Sequence, residues 1–182
     1  SDTWKSIYHV GFRLQEGKSK YSSVGHWNDP DMLVVGKVGW GTNLRETRLT
    51  PDEQYTHITL WTILASNMLI GCDIAQMDDF TLNLLCNNEV NAINQDMLGK
   101  QADRVLKDGD IEVWSRPLAD GSIAVGIFNV GEKDHQVDMK ALIPIKVPAK
   151  VIRDVWRQKN LSADELKCTI PLHGCRYLKV RF

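Results

Sequence analysis

Trp27-Asn28-Asp29-Pro30-Asp31-Met32-Leu33-Val34-Val35-Gly36 is the stretch on which the fold of the first half of this chain turns. Its tail from Met32 to Val35 is an apolar run of the kind that forms a fully buried strand. Pro30 has no N–H to give to a central ladder, so it cannot sit inside one. The reading that satisfies both is a strand that ends, with a polar turn at its mouth. Asn28, Asp29 and Asp31 carry that turn.

The flanks extend the pattern. Upstream, Asp2 or Thr3 can cap a helix with Trp4, Ile7, Tyr8, Gly11 and Leu14 at the spacing of one helical face. That helix runs out into Gly17-Lys18-Ser19. Downstream, Thr50-Pro51-Asp52-Glu53 reads as an N-cap, a proline at the first helical position and a capping-box glutamate. The helix behind it is expected to present Tyr55, Ile58, Trp61, Leu64, Ala65 and Met68 to a core. Met68-Leu69-Ile70-Gly71-Cys72-Asp73-Ile74 then reads as a short buried strand ending in a polar residue. Asp78 or Asp79 caps a further helix with Phe80, Leu82, Leu84 and Leu85 apolar. Residues 87–96 form a polar helical turn or loop, and Gly99 closes the region. Helix, strand, helix, strand, helix is the order of an α/β fold with parallel strands, here residues 1–100.

The period changes in residues 101–182. Residues 110–116 and 122–130 alternate in polarity, and Asp120-Gly121 between them is a strong hairpin signal. Further strands are expected at 135–139, 151–156, 166–170 and 176–182, separated by Gly, Pro, Asn and Asp. This half reads as an antiparallel β-sandwich. No long linker separates the halves, so they are expected to pack together.

With 182 residues, 43% hydrophobic and 25% charged, the composition is globular. Lys and Arg number 22 against 23 Asp and Glu, a net charge of −1. That balance argues against nucleic-acid binding and against a polybasic membrane contact. No apolar run is long enough for a membrane span. The start, Ser1-Asp2-Thr3-Trp4-Lys5, has no signal-peptide apolar region, so an export signal is expected to have been removed or never to have existed. Cys72, Cys86, Cys168 and Cys175 form no C-x-x-C pair and no histidine pair has zinc spacing, so metal binding is unsupported. Cys168 and Cys175 flank Thr-Ile-Pro-Leu-His-Gly and can meet across a hairpin, or serve as two buried thiols, the more ordinary use.

The densest functional chemistry is Trp27-Asn28-Asp29-Pro30-Asp31-Met32. Carboxylates accept hydrogen bonds from sugar hydroxyls and an indole face packs on a pyranose. In α/β folds ligands bind outside the carboxyl ends of strands. Against this, Asn-Asp-Pro is a common turn that an Asp can merely cap. Asp73 reads more simply as a loop-start or capping residue, and Asn94-Gln95-Asp96 as a solvated loop. His57 is expected to be packed or solvated within its helix; His26 is a weak candidate for a cleft. Trp114 and Trp156 lie in strand patterns and are expected in the core. Phosphate-cradling and nucleophile-elbow motifs are missing.

At Trp27-Asn28-Asp29-Pro30-Asp31-Met32-Leu33 the chain resembles the melibiase group, glycoside hydrolase family 27, of α-galactosidases and α-N-acetylgalactosaminidases. The resemblance continues at Leu60-Trp61-Thr62-Ile63-Leu64-Ala65-Ser66 and Leu69-Ile70-Gly71-Cys72-Asp73-Ile74. It returns at Val90-Asn91-Ala92-Ile93-Asn94-Gln95-Asp96-Met97-Leu98-Gly99-Lys100-Gln101, then at Glu112-Val113-Trp114-Ser115-Arg116-Pro117-Leu118. It implies the last βα units of a (β/α)8 TIM barrel in residues 1–100, followed by a C-terminal antiparallel β-sandwich in 101–182. Residues 24–36 then resemble barrel strand seven, 68–74 strand eight, and the first helix the one after strand six. The family's retaining mechanism uses two carboxylates. On the resemblance the nucleophile ends strand four in a Lys-x-Asp stretch, and the acid/base Asp lies just before Ser1. No catalytic residue is therefore expected within this chain, and Asp2 matches a later acidic position.

What carries over is Asp31 and Met32, on the floor of the galactose pocket. Trp27, Asn28 and Asp29 are weaker candidates that support the strand end. The resemblance implies a galactoside substrate, no metal or organic cofactor, and the N-terminal barrel part of the same enzyme as partner. It leaves room for a homo-oligomer. It favours a secreted, periplasmic or lysosome-like compartment over the cytoplasm. Galactose and N-acetylgalactosamine are both open as the sugar, and a stand-alone non-catalytic carbohydrate-binding module is the competing class.

Overall fold

The computed structural model describes residues 1–182. Thr3 caps the first helix: its Oγ1 accepts the Ser6 N–H at 3.3 Å. α1 (Trp4–Ile7) continues directly into a π-helical stretch, Tyr8–Arg13, where the Leu14 N–H reaches back five residues to the His9 carbonyl. Gly11 is the point of closest approach to the next long helix. A Cβ there would lie 2.6 Å from Leu60 Cδ2 and from the Trp61 ring. Leu14 is half exposed rather than packed on the core.

The long helix, α2 (Pro51–Ile63), begins as its sequence predicts. Thr50 Oγ1 accepts the Glu53 N–H, and the Glu53 carboxylate returns to the Thr50 N–H at 2.9 Å. It is not amphipathic: every residue from Thr56 to Ile63 is buried. The helix lies between two layers and must satisfy both. Its threonines make the polar side dry. Thr56 Oγ1 donates to the His173 carbonyl at 2.6 Å, and Thr59 Oγ1 accepts the Trp156 indole N–H at 2.8 Å.

One layer holds the two apolar runs. Leu33 pairs with Ile70 in parallel, through Leu33 N–H to the Leu69 carbonyl (2.8 Å) and Gly71 N–H to the Leu33 carbonyl (2.9 Å). Beyond this bridge the chain forms a short hairpin of β1 (Lys37–Val38) and β2 (Arg45–Glu46). The stretch 68–74 is not the buried strand expected from its composition. Leu69 is 60% and Ile70 48% exposed, because Leu33 covers one edge only. α3 (Asp79–Cys86), capped by Asp78, and α4 (Asn88–Asn94), capped by Asn87, complete this half.

The other layer is a six-stranded antiparallel sheet in the order β3-β4-β5-β10-β7-β8. Its strands are β3 (Asp103–Asp108), β4 (Ile111–Pro117), β5 (Ile123–Asn129), β7 (Val151–Asp154), β8 (Lys159–Asn160) and β10 (Cys175–Arg181). The Asp120-Gly121 turn joins β4 to β5, with Gly121 at φ +83°. β6 (His135–Asp138) pairs with β9 (Lys167–Ile170), and with α5 (Met139–Leu142) covers the outer face.

Trp114, Ala124, Phe128 and Tyr177 of the sheet's inner face join Phe12, Ile58, Trp61 and Leu33 in one core cluster. Val113, Val125, Ile127, Leu178 and Val180 face the opposite way into a second core. The two halves therefore share a core. Trp114 is fully buried, while Trp156 is only half-buried, with its indole N–H on Thr59. Cys168 and Cys175 do not face across a hairpin. They belong to different sheets and all four cysteines are free.

Candidate substrate-binding floor

The direction of the parallel pair fixes which end is which. The chain runs from Trp27 toward Lys37 and, alongside, from Met68 toward Asp73, whose N–H meets the Lys37 carbonyl at 2.8 Å. Lys37 and Asp73 mark the carboxyl ends; Trp27 and the Asp29–Asp31 turn precede the Leu33 bridge on the amino side, not at the carboxyl mouth expected for the turn, because the paired stretch begins at Leu33.

Asp31 sits in the left-handed region at φ +80°, a conformation costing a non-glycine residue roughly 1 kcal/mol or more. Three hydrogen bonds hold it there. The Asp31 N–H donates to Asp29 Oδ1 at 2.8 Å, the Met32 N–H to Asp31 Oδ1 at 2.7 Å, and the Trp61 indole N–H to the Asp31 carbonyl at 2.7 Å. Asp31 Oδ2 has no protein partner and the residue is exposed, so one carboxylate oxygen remains free for a ligand donor. Met32, 37% exposed, lies across Gly71. A Cβ at Gly71 would be 2.5 Å from Met32 Sδ, so glycine is what lets the thioether lie against the neighbouring backbone.

α2 supports this floor from behind with two residues one turn apart. Trp61 holds the Asp31 carbonyl. His57, fully buried, accepts the Val34 N–H on Nε2 at 3.1 Å and packs edge-on against Trp61 with ring centroids 4.1 Å apart. Burial pushes the His57 pKa down to about 3, so the ring is neutral and stays an acceptor. At the front, Asp2 is buried between Arg45 and Arg48, at 2.7 and 2.8 Å. The Arg45 guanidinium beside Asp2 holds its carboxyl well below the usual carboxylate range, against the cost of burial. Both oxygens of Asp2 are engaged, which ties the start of α1 to β2 and to Arg48 just after it.

The five sequence candidates do not converge. Asp31 and Met32 share a small concavity of about 20 Å³ with Ser1, Ser6, Pro30 and Trp61. That holds about one water, so these residues form a floor and not a closed pocket. Asp29 spends an oxygen on the turn itself. Asn28 Nδ2 donates to the Lys18 carbonyl and to Gln101 Oε1, at 2.9 and 2.7 Å. Trp27 packs against Gly99 and lines a larger groove of about 450 Å³ with Val24, Met68, Leu69, Asn94 and Met97. That groove shares no lining residue with the concavity at Asp31. His26 is exposed on a tight turn with Ser23 and lines neither this groove nor the concavity at Asp31. Sequence reasoning passed over His57 as merely packed and Trp61 as core. The signal lay in a buried indole N–H and imidazole one turn apart, both of which need partners.

Residues 1–96 match the family model described as alpha galactosidase A, and residues 108–180 match the alpha galactosidase C-terminal beta sandwich domain. The chain belongs to the alpha-galactosidase A, or melibiase, family. Alpha-galactosidase 2 of Arabidopsis thaliana is 36% identical over 179 residues, which is 96% of this chain and 43% of that protein. The alpha-galactosidase of Cyamopsis tetragonoloba is 35% identical over 179 residues, covering 96% of this chain and 41% of that protein. Among solved structures, a GH27 β-L-arabinopyranosidase from Geobacillus stearothermophilus superposes with TM-score 0.86 at 31% identity, over 100% of this chain and 42% of that one. The chain thus spans less than half the length of the relatives it matches. Within the family fold the parallel pair and its helices are the last βα units of the barrel, and the antiparallel layers are the C-terminal sandwich.

Proposed function

We propose that this chain is the C-terminal part of a retaining α-galactosidase that releases terminal α-linked galactose. The observation that carries the reading is the match to alpha-galactosidases across the whole chain, barrel part then sandwich, in order. Asp31 and Met32 supply part of the sugar pocket: Oδ2 of Asp31 accepts from a hydroxyl, and Met32 packs on the apolar face of the ring. Retention of configuration requires a nucleophilic carboxylate and an acid/base carboxylate about 5–5.5 Å apart. In this reading both come from the preceding part of the enzyme, and the residues described here hold the sugar rather than break its bond. No step calls for a metal or an organic cofactor.

The test compares residues 1–182 with the complete enzyme on an aryl α-galactoside. The complete enzyme is expected to turn over, the isolated chain to be inactive, and activity to return when the separately made N-terminal part is added. Robust turnover by residues 1–182 alone would mean that a catalytic pair lies within them, with Asp29 and Asp31 first to be examined.

The likeness to the arabinopyranosidase supports a second reading, a terminal β-L-arabinopyranoside substrate. This sugar shares the ring stereochemistry of α-D-galactose and lacks its hydroxymethyl group. The ratio of kcat/KM on the two aryl glycosides decides between them, and an aryl α-N-acetylgalactosaminide belongs in the same assay.

A further inference from the structure

We infer that Trp61 is a positioning residue for the sugar: it acts through Asp31, by fixing the backbone that aims the Asp31 carboxylate. The inference rests on the galactoside reading above and deepens it. The turn from Asp29 to Met32 has one hydrogen bond to another element of the fold, the Trp61 indole N–H on the Asp31 carbonyl at 2.7 Å. The other two bonds at Asp31 are internal to the turn, the Asp31 N–H on Asp29 Oδ1 and the Met32 N–H on Asp31 Oδ1. Those two close the turn without anchoring it. The anchor matters because Asp31 stands at φ +80°, where a non-glycine residue stays only when its surroundings hold it. Once the indole N–H is gone, the backbone at Asp31 can relax toward ordinary φ values, and Oδ2 turns with it.

The indole is itself fixed on several sides. Trp61 is buried near the end of α2, where its carbonyl accepts both the Ser66 N–H at 3.1 Å and Ser66 Oγ at 2.8 Å. A Cβ on Gly11 would lie 2.6 Å from Cζ3 of the Trp61 ring and 3.1 Å from its Cη2. The bare glycine in the π-helical stretch is therefore what seats the ring. The His57 ring packs against it edge-on, at an interplanar angle of 87°. Trp61 also lines the small concavity that Asp31 and Met32 share. The first helical segment and α2 thus both set where Asp31 stands, although neither carries a group that touches the sugar. Small misplacements of a binding group, made from outside the site, are enough to cost an enzyme much of its rate.

The test is a double-mutant cycle in the complete enzyme, read as kcat/KM on whichever aryl glycoside that enzyme turns over. Trp61→Phe removes the donor. Should that variant fail to fold, 3-benzothienylalanine at position 61 removes it at nearly constant volume, with sulfur in place of the N–H. Asp31→Gly keeps the left-handed backbone and removes the carboxylate. Loss of the N–H is expected to lower kcat/KM about tenfold with Asp31 present, mostly through KM. In the Asp31→Gly enzyme the same loss should cost less than about twofold, because no carboxylate is left to aim. A merely structural role lowers both backgrounds by the same factor, and that result would overturn the inference, as would no loss with Asp31 present. An Asp31→Gly enzyme as active as wild type would overturn it too, by taking the carboxylate out of the floor. If the complete enzyme cleaves another aryl glycoside but not the α-galactoside, the galactoside reading falls and the cycle still decides on Trp61. If it cleaves none, both fall.

Discussion

β4 of the sandwich and the strand at Leu33 both contribute side chains to the shared core and are built on opposite terms. Every residue of β4 from Ile111 to Pro117 has a register partner on β5, delivered by a turn at Asp120-Gly121. In the parallel pair, Leu33 is bridged to Ile70 by a single isolated bridge, and α2 intervenes in sequence between the two. An antiparallel strand brings its partner by a turn of a few residues, whereas a parallel one waits for a crossover. The first kind of structure is self-contained. The second is held mainly by the side chains of the helix behind it, here His57 and Trp61.

The sharpest way to break this contrast is to attack the core where the halves meet. Trp114 is fully buried, with its indole N–H on Glu112 and its ring edge against Phe12. Trp114→Ala should destabilise by about 3–5 kcal/mol, the cost of a large cavity. Denaturant midpoints read it directly, and a shift within error would mean the ring bears no part of the shared core.

His57 gives a second, pH-dependent test of the helix-held half. Its folded pKa of about 3 lies below the ordinary value of 6.5. Above pH 6.5 neither folded nor unfolded chain binds the proton, so His57 has no effect on the pH dependence there. As pH falls below 6.5 the unfolded chain takes it up and the folded one does not, so stability drops by up to about 1.4 kcal/mol per pH unit until about pH 3. His57→Gln keeps an acceptor for the Val34 N–H without the titration. Its stability should be flatter across this window in unfolding titrations; an unchanged slope would place the acid sensitivity elsewhere.

How legible these features were in the sequence follows the same division. The capping box at Thr50, the Asp120-Gly121 turn and the strands after it are local, and each is read from a few adjacent residues. β3 went unread because Asp103-Arg104-Val105-Leu106-Lys107-Asp108 is an edge strand with little alternation. The burial of α2 on all sides was invisible for a different reason. Thr56, Thr59 and Thr62 look like a solvent face until their partners across the sheet are known. At the floor, Asp31 and Met32 were marked by resemblance. That Trp27 lines a separate groove and that Asn28 is spent on Lys18 and Gln101 depends on packing in three dimensions, which no motif encodes.

Two smaller effects sharpen the comparison. Asp31→Asn in the complete enzyme keeps an oxygen for the Met32 N–H and a residue tolerant of positive φ, and removes the charge. Loss of a charge-assisted bond to substrate, about 1.5–3 kcal/mol, should lower kcat/KM on an aryl α-galactoside about 10- to 150-fold. An unchanged value in a folded variant would remove Asp31 from the floor. Thr50→Ala breaks the capping box and should cost about 1 kcal/mol, read as a lowered Tm. A larger loss would show that the start of α2 carries more of the interface than its cap.

The central claim is that the sandwich is stabilised by its own ladder while the parallel pair is held from behind. Native-state hydrogen exchange on residues 1–182 tests it residue by residue. The account predicts slow exchange, near the global unfolding limit, for the amides of β4, β5 and β10. It predicts fast exchange at Leu69, Ile70 and Cys72, with Leu33, Val34 and Gly71 between the two. Equal protection across both regions would contradict it.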